Sequence, residues 1–147
     1  MKKTQAEAVK EIMMSSPVTV KPGDTLQLAS DMISLGSIRH LPVVENGKLL
    51  GILSARDVMA VGLKNRSALL KSMLIKGVMK KKVITVTPDT PIVEAAHLMA
   101  EKKIGCLPVL SDGTLVGLVT TTNILRYVES LKLTRPRSGR RLKNSAA

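Results

Sequence analysis

The chain has 147 residues, 44% of them hydrophobic, and a formal net charge of +12 with an isoelectric point near 10.2. That is enough apolar material for one packed domain or two small repeats sharing a core, which excludes wholesale disorder. The lone Cys106 excludes an intrachain disulfide and a cysteine-based metal site. No apolar run approaches the roughly 18 residues of a membrane span, and Met1-Lys2-Lys3 leads into polar sequence rather than a secretion signal, so the expected setting is cytoplasmic, with no membrane.

In chain order, residues 1–11 form a helical or extended lead-in. Val18-Thr19-Val20 is a short β-branched strand, stopped by Pro22. A helix follows, with Asp24 as its cap and Gln27 three residues on, and with Ala29, Met32 and Ile33 on one face. Leu41–Val44 is a buried strand, Asn46-Gly47 a tight turn, and Lys48–Leu53 the returning strand. Ser54 leads into a second helix over 55–61, which completes a unit spanning 12–61. Residues 62–77 are a connector, within which Leu63–Lys76 is rich in Leu, Lys and Met without a breaker and is expected to be helical and to pack its apolar stripe on the body.

The same succession then returns over 78–131. Residues 12–59 align with 78–125 at a constant offset of 66 and without a gap. Met13-(x)5-Thr19-Val20-x-Pro22 recurs as Met79-(x)5-Thr85-Val86-x-Pro88, and Ile38-x-x-Leu41-Pro42-Val43 as Ile104-x-x-Leu107-Pro108-Val109. Gly47-x-Leu49-x-Gly51 recurs as Gly113-x-Leu115-x-Gly117. Three matches in register make this a duplication. The second copy reads as a strand Val83–Val86, and a helix capped by Thr90 with Pro91 at its first position and Ala95, Leu98 and Met99 on one face. A strand Leu107–Leu110, a turn at Asp112-Gly113, a strand Thr114–Val119 and a helix 121–131 follow. The order is β-α-β-β-α, twice. Residues 132–147 hold Lys132, Arg135, Arg137, Arg140, Arg141 and Lys143 with no acid, leaving +6 on residues 1–131, and read as a basic, disordered tail.

This duplicated pattern resembles the cystathionine β-synthase (CBS) domain, and the pair resembles a Bateman module, over roughly residues 12–128. The resemblance implies an α/β (α+β) fold of two β-α-β-β-α repeats about a pseudo-twofold axis. It also implies two clefts for AMP, ADP, ATP or S-adenosylmethionine, a homodimer, and a regulated protein that the sequence does not identify. The adenosine nucleotide is then a regulatory ligand, not a catalytic cofactor. The motif that carries the ligand in this family is Gly-h-h-Ser/Thr-x-x-Asp, met here as Gly51-Ile52-Leu53-Ser54-Ala55-Arg56-Asp57. A carboxylate near a helix start accepts both ribose hydroxyls, while a Ser hydroxyl and free helix N–H groups face phosphate, with Arg56 as a guanidinium fork. Ser54 and Asp57 are also good helix caps. The second copy reads Gly117-Leu118-Val119-Thr120-Thr121-Thr122-Asn123. Thr120 and Thr122 keep hydroxyls, but Asn123 replaces a charged double acceptor by a neutral amide, which weakens ribose binding there.

By the same resemblance, adenine lies between aliphatic walls. The Asp57 cleft is expected to use Val83, Ile84, Ile104, Gly105 and Cys106 with Ile52, and the Asn123 cleft Val18, Ile38, Arg39 and His40. His97 has no partner at ligand spacing, and Cys106 reads as a small buried hydrophobe. Paired carboxylates, an activated nucleophile or a metal cluster do not occur together, so no enzyme, catalytic residue or metal is expected. A competing reading is nucleic-acid contact through the basic tail. Against it, the body lacks an aromatic stacking platform, since Tyr127 is the sole aromatic residue.

Overall fold

A computed structural model of the chain describes residues 6–65 and 67–131. The expected tail, residues 132–147, lies outside them. Strand β1 (Met14–Ser15) is followed by helix α1 (Leu26–Gly36), the hairpin β2 (His40–Glu45) and β3 (Lys48–Ser54), and helix α2 (Ala55–Asn65). Two 3-10 turns, Ser67–Lys71 and Ile75–Gly77, lead to helix α3 (Ile92–Lys102), the hairpin β4 (Cys106–Ser111) and β5 (Thr114–Thr120), and helix α4 (Thr121–Ser130). The connector is thus helical in part. Helix α2 outruns its expected end at residue 61 by four residues, because nothing after Gly62 breaks it.

Both hairpins form as read. Asn46 and Gly47 have φ of 51° and 76°, and Asp112 and Gly113 have 49° and 76°, the left-handed pair that a two-residue hairpin turn demands. Each hairpin carries a register shift at the same place, between Val43 and Val44 and between Val109 and Leu110. The expected first strands meet the hairpins here but do not form as strands. Val18–Val20 and Val83–Val86 are extended segments that touch the sheet at single parallel bridges, Val20 to Val43 and Val86 to Val109. The Val20 N–H donates to Pro42 O at 3.0 Å and Val44 N–H to Val20 O at 2.8 Å; Val86 repeats this with Pro108 and Leu110. Pro22 and Pro88, two residues on, offer no N–H to extend the ladder.

Two caps also differ from expectation by one residue. Asp24 accepts from the Lys21 N–H at 2.8 Å, closing the preceding turn, so Thr25 caps α1 by accepting from Leu28 N–H at 3.2 Å. Gln27 donates to Asp31 instead of folding back on the cap. Thr90 closes the equivalent turn through Thr87 N–H, which leaves Pro91 as the cap of α3 with no side-chain bond.

The core is divided in two, and each half borrows from the other. The first core holds Val20, Leu26, Ala29, Leu41, Val43, Leu53 and Val58, closed by Leu70 and Ile75 from the connector. The second holds Val86, Ala95, Met99, Leu107, Val109 and Val119, closed by Val9 from the lead-in of the first repeat. So the segment preceding each repeat packs on the opposite repeat. The hydrogen bonds obey the offset of 66: Ile75 N–H donates to Asp24 O and Val9 N–H to Thr90 O, both at 2.9 Å, and Leu26 to Met73 is matched by Ile92 to Glu7. The exchanged segments also extend the sheets. Met14 pairs antiparallel with Leu118, and Lys80 with Ile52. A Cβ on Gly51 would lie 2.7 Å from Lys80 O, and one on Gly117 would lie 2.9 Å from Met14 O, so glycine is needed at both crossings.

Ile75 is fully buried although its segment reads as a connector. Ile75→Ala should therefore lower the unfolding free energy in urea by about 2–5 kcal/mol. A loss below about 0.5 kcal/mol, the size of a surface change, would mean that the exchanged segment is not docked in solution.

Candidate functional site

Each repeat ends its hairpin and starts its last helix at the duplicated motif. Ser54 and Asp57 form a reciprocal capping box: Ser54 N–H donates to Asp57 Oδ2 at 3.0 Å, and Asp57 N–H to Ser54 Oγ at 3.2 Å. Thr120 and Asn123 repeat it. Asn123 Oδ1 accepts from Thr120 N–H at 2.8 Å and from Thr120 Oγ1 at 3.0 Å, and Asn123 N–H donates to Thr120 Oγ1 at 3.3 Å. The capping role of these residues is therefore present at both sites.

The chemistry left over differs. With Oδ2 in the box, Asp57 keeps Oδ1 without a hydrogen bond among the described residues, on a half-buried anionic group that only accepts. Asn123 has spent its one amide oxygen, so the group it offers outward is an N–H₂ donor. A ribose diol donating two hydrogens matches the first arrangement better than the second. The helix starts are less open than expected. Ala55 N–H donates to Arg39 O at 2.8 Å and Thr121 N–H to Gly105 O at 3.1 Å, so these groups, with the N–H groups of Asp57 and Asn123, are committed within the fold.

The strand starts bring the repeats together. His40 lies opposite Ser54 in the β2–β3 register, and Cys106 opposite Thr120 in β4–β5. His40 also faces the second repeat: a Cβ built on Gly105 would stand 3.7 Å from His40 Cε1 and 3.6 Å from Thr121 Oγ1. Residues expected in different clefts, His40 in one and Gly105 in the other, are thus neighbours. Burial, and next the Arg39 guanidinium, hold the His40 imidazole below its ordinary value; Asp57 opposes this and Lys80 adds to it. Cys106 is buried, and burial pushes its thiol up to about 12, which leaves it an inert hydrophobe at neutral pH.

The expected adenine walls are of mixed exposure. Ile52, Val83, Ile84, Ile104 and Gly105 are half-buried, Cys106 is buried, and Val18 is exposed. Ile38 packs on the first core, and Ile84 and Ile104 on the second. Arg56 and Thr122 are exposed on the first turns of α2 and α4. Sequence reading missed a cavity of about 320 Å³ between the lead-in and α4, where Glu11 and Ile12 face Asn123, Arg126 and Tyr127. The sole aromatic residue marks it, since Tyr127 O–H donates to Ala6 O at 3.0 Å. A second cavity, of about 310 Å³, lies on the helical side between Ser30, Val58, Met59, Gly62, Leu63 and Leu70. Neither is lined by Asp57. Among the described residues no cluster of three His, Cys, Asp or Glu forms a metal site, and no helix is long and apolar enough to cross a membrane.

Known proteins share this arrangement. The family model described as CBS domain matches the chain twice, at residues 9–64 and 75–130. A CBS domain-containing protein of Dictyostelium discoideum is 35% identical over 127 residues, spanning 80% of this chain and 88% of the relative. Homoserine O-acetyltransferase of Methanohalobium evestigatum is 35% identical over 123 residues, and the chain spans about a quarter of its length, 24%. Among solved structures, the CBS domain pair of protein MJ0100 in complex with 5-methylthioadenosine and S-adenosyl-L-methionine is similar with a TM-score of 0.75 and 30% identity, over 83% of this chain and 95% of that one. CBSX2 in complex with AMP is similar with a TM-score of 0.76 and 25% identity, over 87% of this chain and all of that one.

The environment of His40 sets a pH dependence. The unfolded chain takes up its proton near the ordinary value of 6.5, whereas the folded chain resists. Unfolding therefore binds a proton in acid, and stability falls as pH drops below about 6.5, levelling once the folded imidazole titrates as well. The charged groups around it are Arg39, Lys80 and Asp57; Gly105 and Thr121 across the interface carry none. His40→Gln should flatten the stability profile between about pH 6.5 and pH 5 in denaturant titrations. Identical slopes in the two proteins would remove His40 from this role.

Proposed function

The chain belongs to the CBS-domain family, in two copies, and on that premise we propose that it is a regulatory module that binds an adenosine-containing ligand and signals to a partner protein through a ligand-dependent change of shape. The observation that carries this reading is Asp57. Its carboxylate is fixed by the capping box, half-buried, and keeps one oxygen without a hydrogen bond among the described residues, which suits it to accept from a ribose hydroxyl. Support comes from the similar pairs that bind S-adenosyl-L-methionine with 5-methylthioadenosine, or AMP. The transferase relative is about four times the length of the matched region, in keeping with this chain being a regulatory part without its own catalysis.

A signal requires that ligand occupancy move something. The exchanged segments supply that route: Lys80 is bonded to Ile52 within the ribose motif, and its neighbours run straight into the next repeat. A ligand that tightens the Asp57 corner acts on both repeats at once. A homodimer is part of the proposal. Leu35 and Leu63 are 90% and 84% exposed, and Met59 and Leu125 are also exposed, as helix faces that pair with a second copy would be.

Calorimetric titration with AMP, ADP, ATP, S-adenosylmethionine and GTP tests the reading. Asp57→Ala should weaken adenosine-ligand affinity at least about tenfold, through the loss of a charge-assisted acceptor. Asp57→Asn is the control, since an amide keeps the capping box, as Asn123 does, and removes the charged acceptor: its affinity should fall with that of Asp57→Ala while its stability stays near that of the wild type. Asn123→Asp should strengthen binding at the second corner. Wild-type affinity in Asp57→Asn would reduce Asp57 to a cap, and no binding of any adenosine ligand by the wild type would end the proposed function.

A further inference from the structure

The two corners are equivalent in backbone but not in charge. Around the first motif stand Arg39, Arg56, Lys80, Lys81 and Lys82; the residues 66 positions away are Gly105, Thr122, Met14, Ser15 and Ser16. The offset is structural, since Lys80 pairs with Ile52 as Met14 pairs with Leu118, and Arg39 O accepts from Ala55 N–H as Gly105 O accepts from Thr121 N–H. These five cations have no charged counterpart at the equivalent positions, and the cation beside Asn123, Arg126, shares its cavity with the acid Glu11.

These cations are exposed, and none forms an ion pair among the described residues, where Lys10–Asp89 at 2.9 Å is the salt bridge present. Asp57, the acid in their midst, has one oxygen held by Ser54 N–H and neutralises one charge at most. The fields of Arg39, Lys80 and Asp57 meet at His40, which places β2, α2 and the exchanged segment at one corner. A surplus of unpaired cations around a single acceptor favours a ligand whose charge lies beyond its ribose.

We infer that the Asp57 corner selects an adenosine polyphosphate, a di- or triphosphate, over S-adenosylmethionine, and that the Asn123 corner lacks this selectivity. The inference rests on the proposed regulatory binding of an adenosine ligand and assigns its class. Asp57 takes the ribose, while Lys80, Lys81 and Lys82 take the phosphates together with Arg39, a residue expected at the Asn123 cleft but bonded through its carbonyl to Ala55 beside Ser54. S-adenosylmethionine brings a sulfonium and an ammonium into the same field and is disfavoured, and adenosine alone gains nothing from the cations.

Calorimetry on the full chain with ATP, AMP, adenosine and S-adenosylmethionine, at two ionic strengths, decides this. ATP should bind on the order of tenfold more tightly than AMP and S-adenosylmethionine, and this advantage should shrink as salt screens it. The combined variant Lys80→Gln, Lys81→Gln, Lys82→Gln alters exposed side chains only. It should remove most of the ATP advantage and leave adenosine affinity within about twofold. S-adenosylmethionine binding as tightly as ATP, or an ATP affinity unmoved by the variant, would overturn the inference while leaving the regulatory module intact. Failure of all four ligands to bind would overturn both.

Discussion

The close crossing of two backbones, at Gly51 under Lys80 and at Gly117 under Met14, is the constraint on which the other features depend. At each crossing the carbonyl of the exchanged segment lies where a side chain would begin. Hydrogen bonds follow in both directions, Ile52 N–H to Lys80 O at 3.0 Å and Lys80 N–H to Ile52 O at 2.9 Å. The same segments carry Ile75 and Val9 into the cores they close. The same approach carries Lys80 into the field of His40. The first residue of the ribose motif therefore serves packing, while its last serves chemistry.

That last residue has two tasks at once. As a cap, Asp57 needs one oxygen, and Asn123 does the same work with an amide. As an acceptor for a ligand, it needs the other oxygen and its charge, which Asn123 lacks. The capping box is thus built with Asp in one copy and Asn in the other, and the two differ in what they can offer a ligand. Symmetry of backbone and asymmetry of chemistry are independent properties of the duplicated chain.

Local features were legible in the sequence. The turns at Asn46-Gly47 and Asp112-Gly113 need positive φ, and few other residue pairs accept it. The strands at Leu41–Val44 and Leu107–Leu110 are short apolar runs bounded by those turns. The capping pattern of Ser54 and Asp57 is written in their spacing. What escaped was non-local. Nothing in the composition of residues 6–15 or 73–80 says that they lie on the opposite repeat, because Val9 and Ile75 sit in segments too short for a period. The caps at Thr25 and Pro91 stand one position beyond the expected ones because the side chains of Asp24 and Thr90 close the preceding turns instead. The contact of His40 with Gly105 joins residues far apart in the chain and leaves no pattern in either.

The exchange has a consequence for how such a chain assembles. The first core is finished once residues 75–80 have left the ribosome, but the second waits for its own strands and then recruits Val9 from the far end of the chain. Closure of Val9 against Val119 spans most of the polypeptide, a long loop that slows the final step. A solitary repeat would hold its lead-in out of reach of its own core, whereas two separate copies trading lead-ins would rebuild both. The tandem chain is, in topology, a swapped dimer whose two subunits have been joined by a peptide bond.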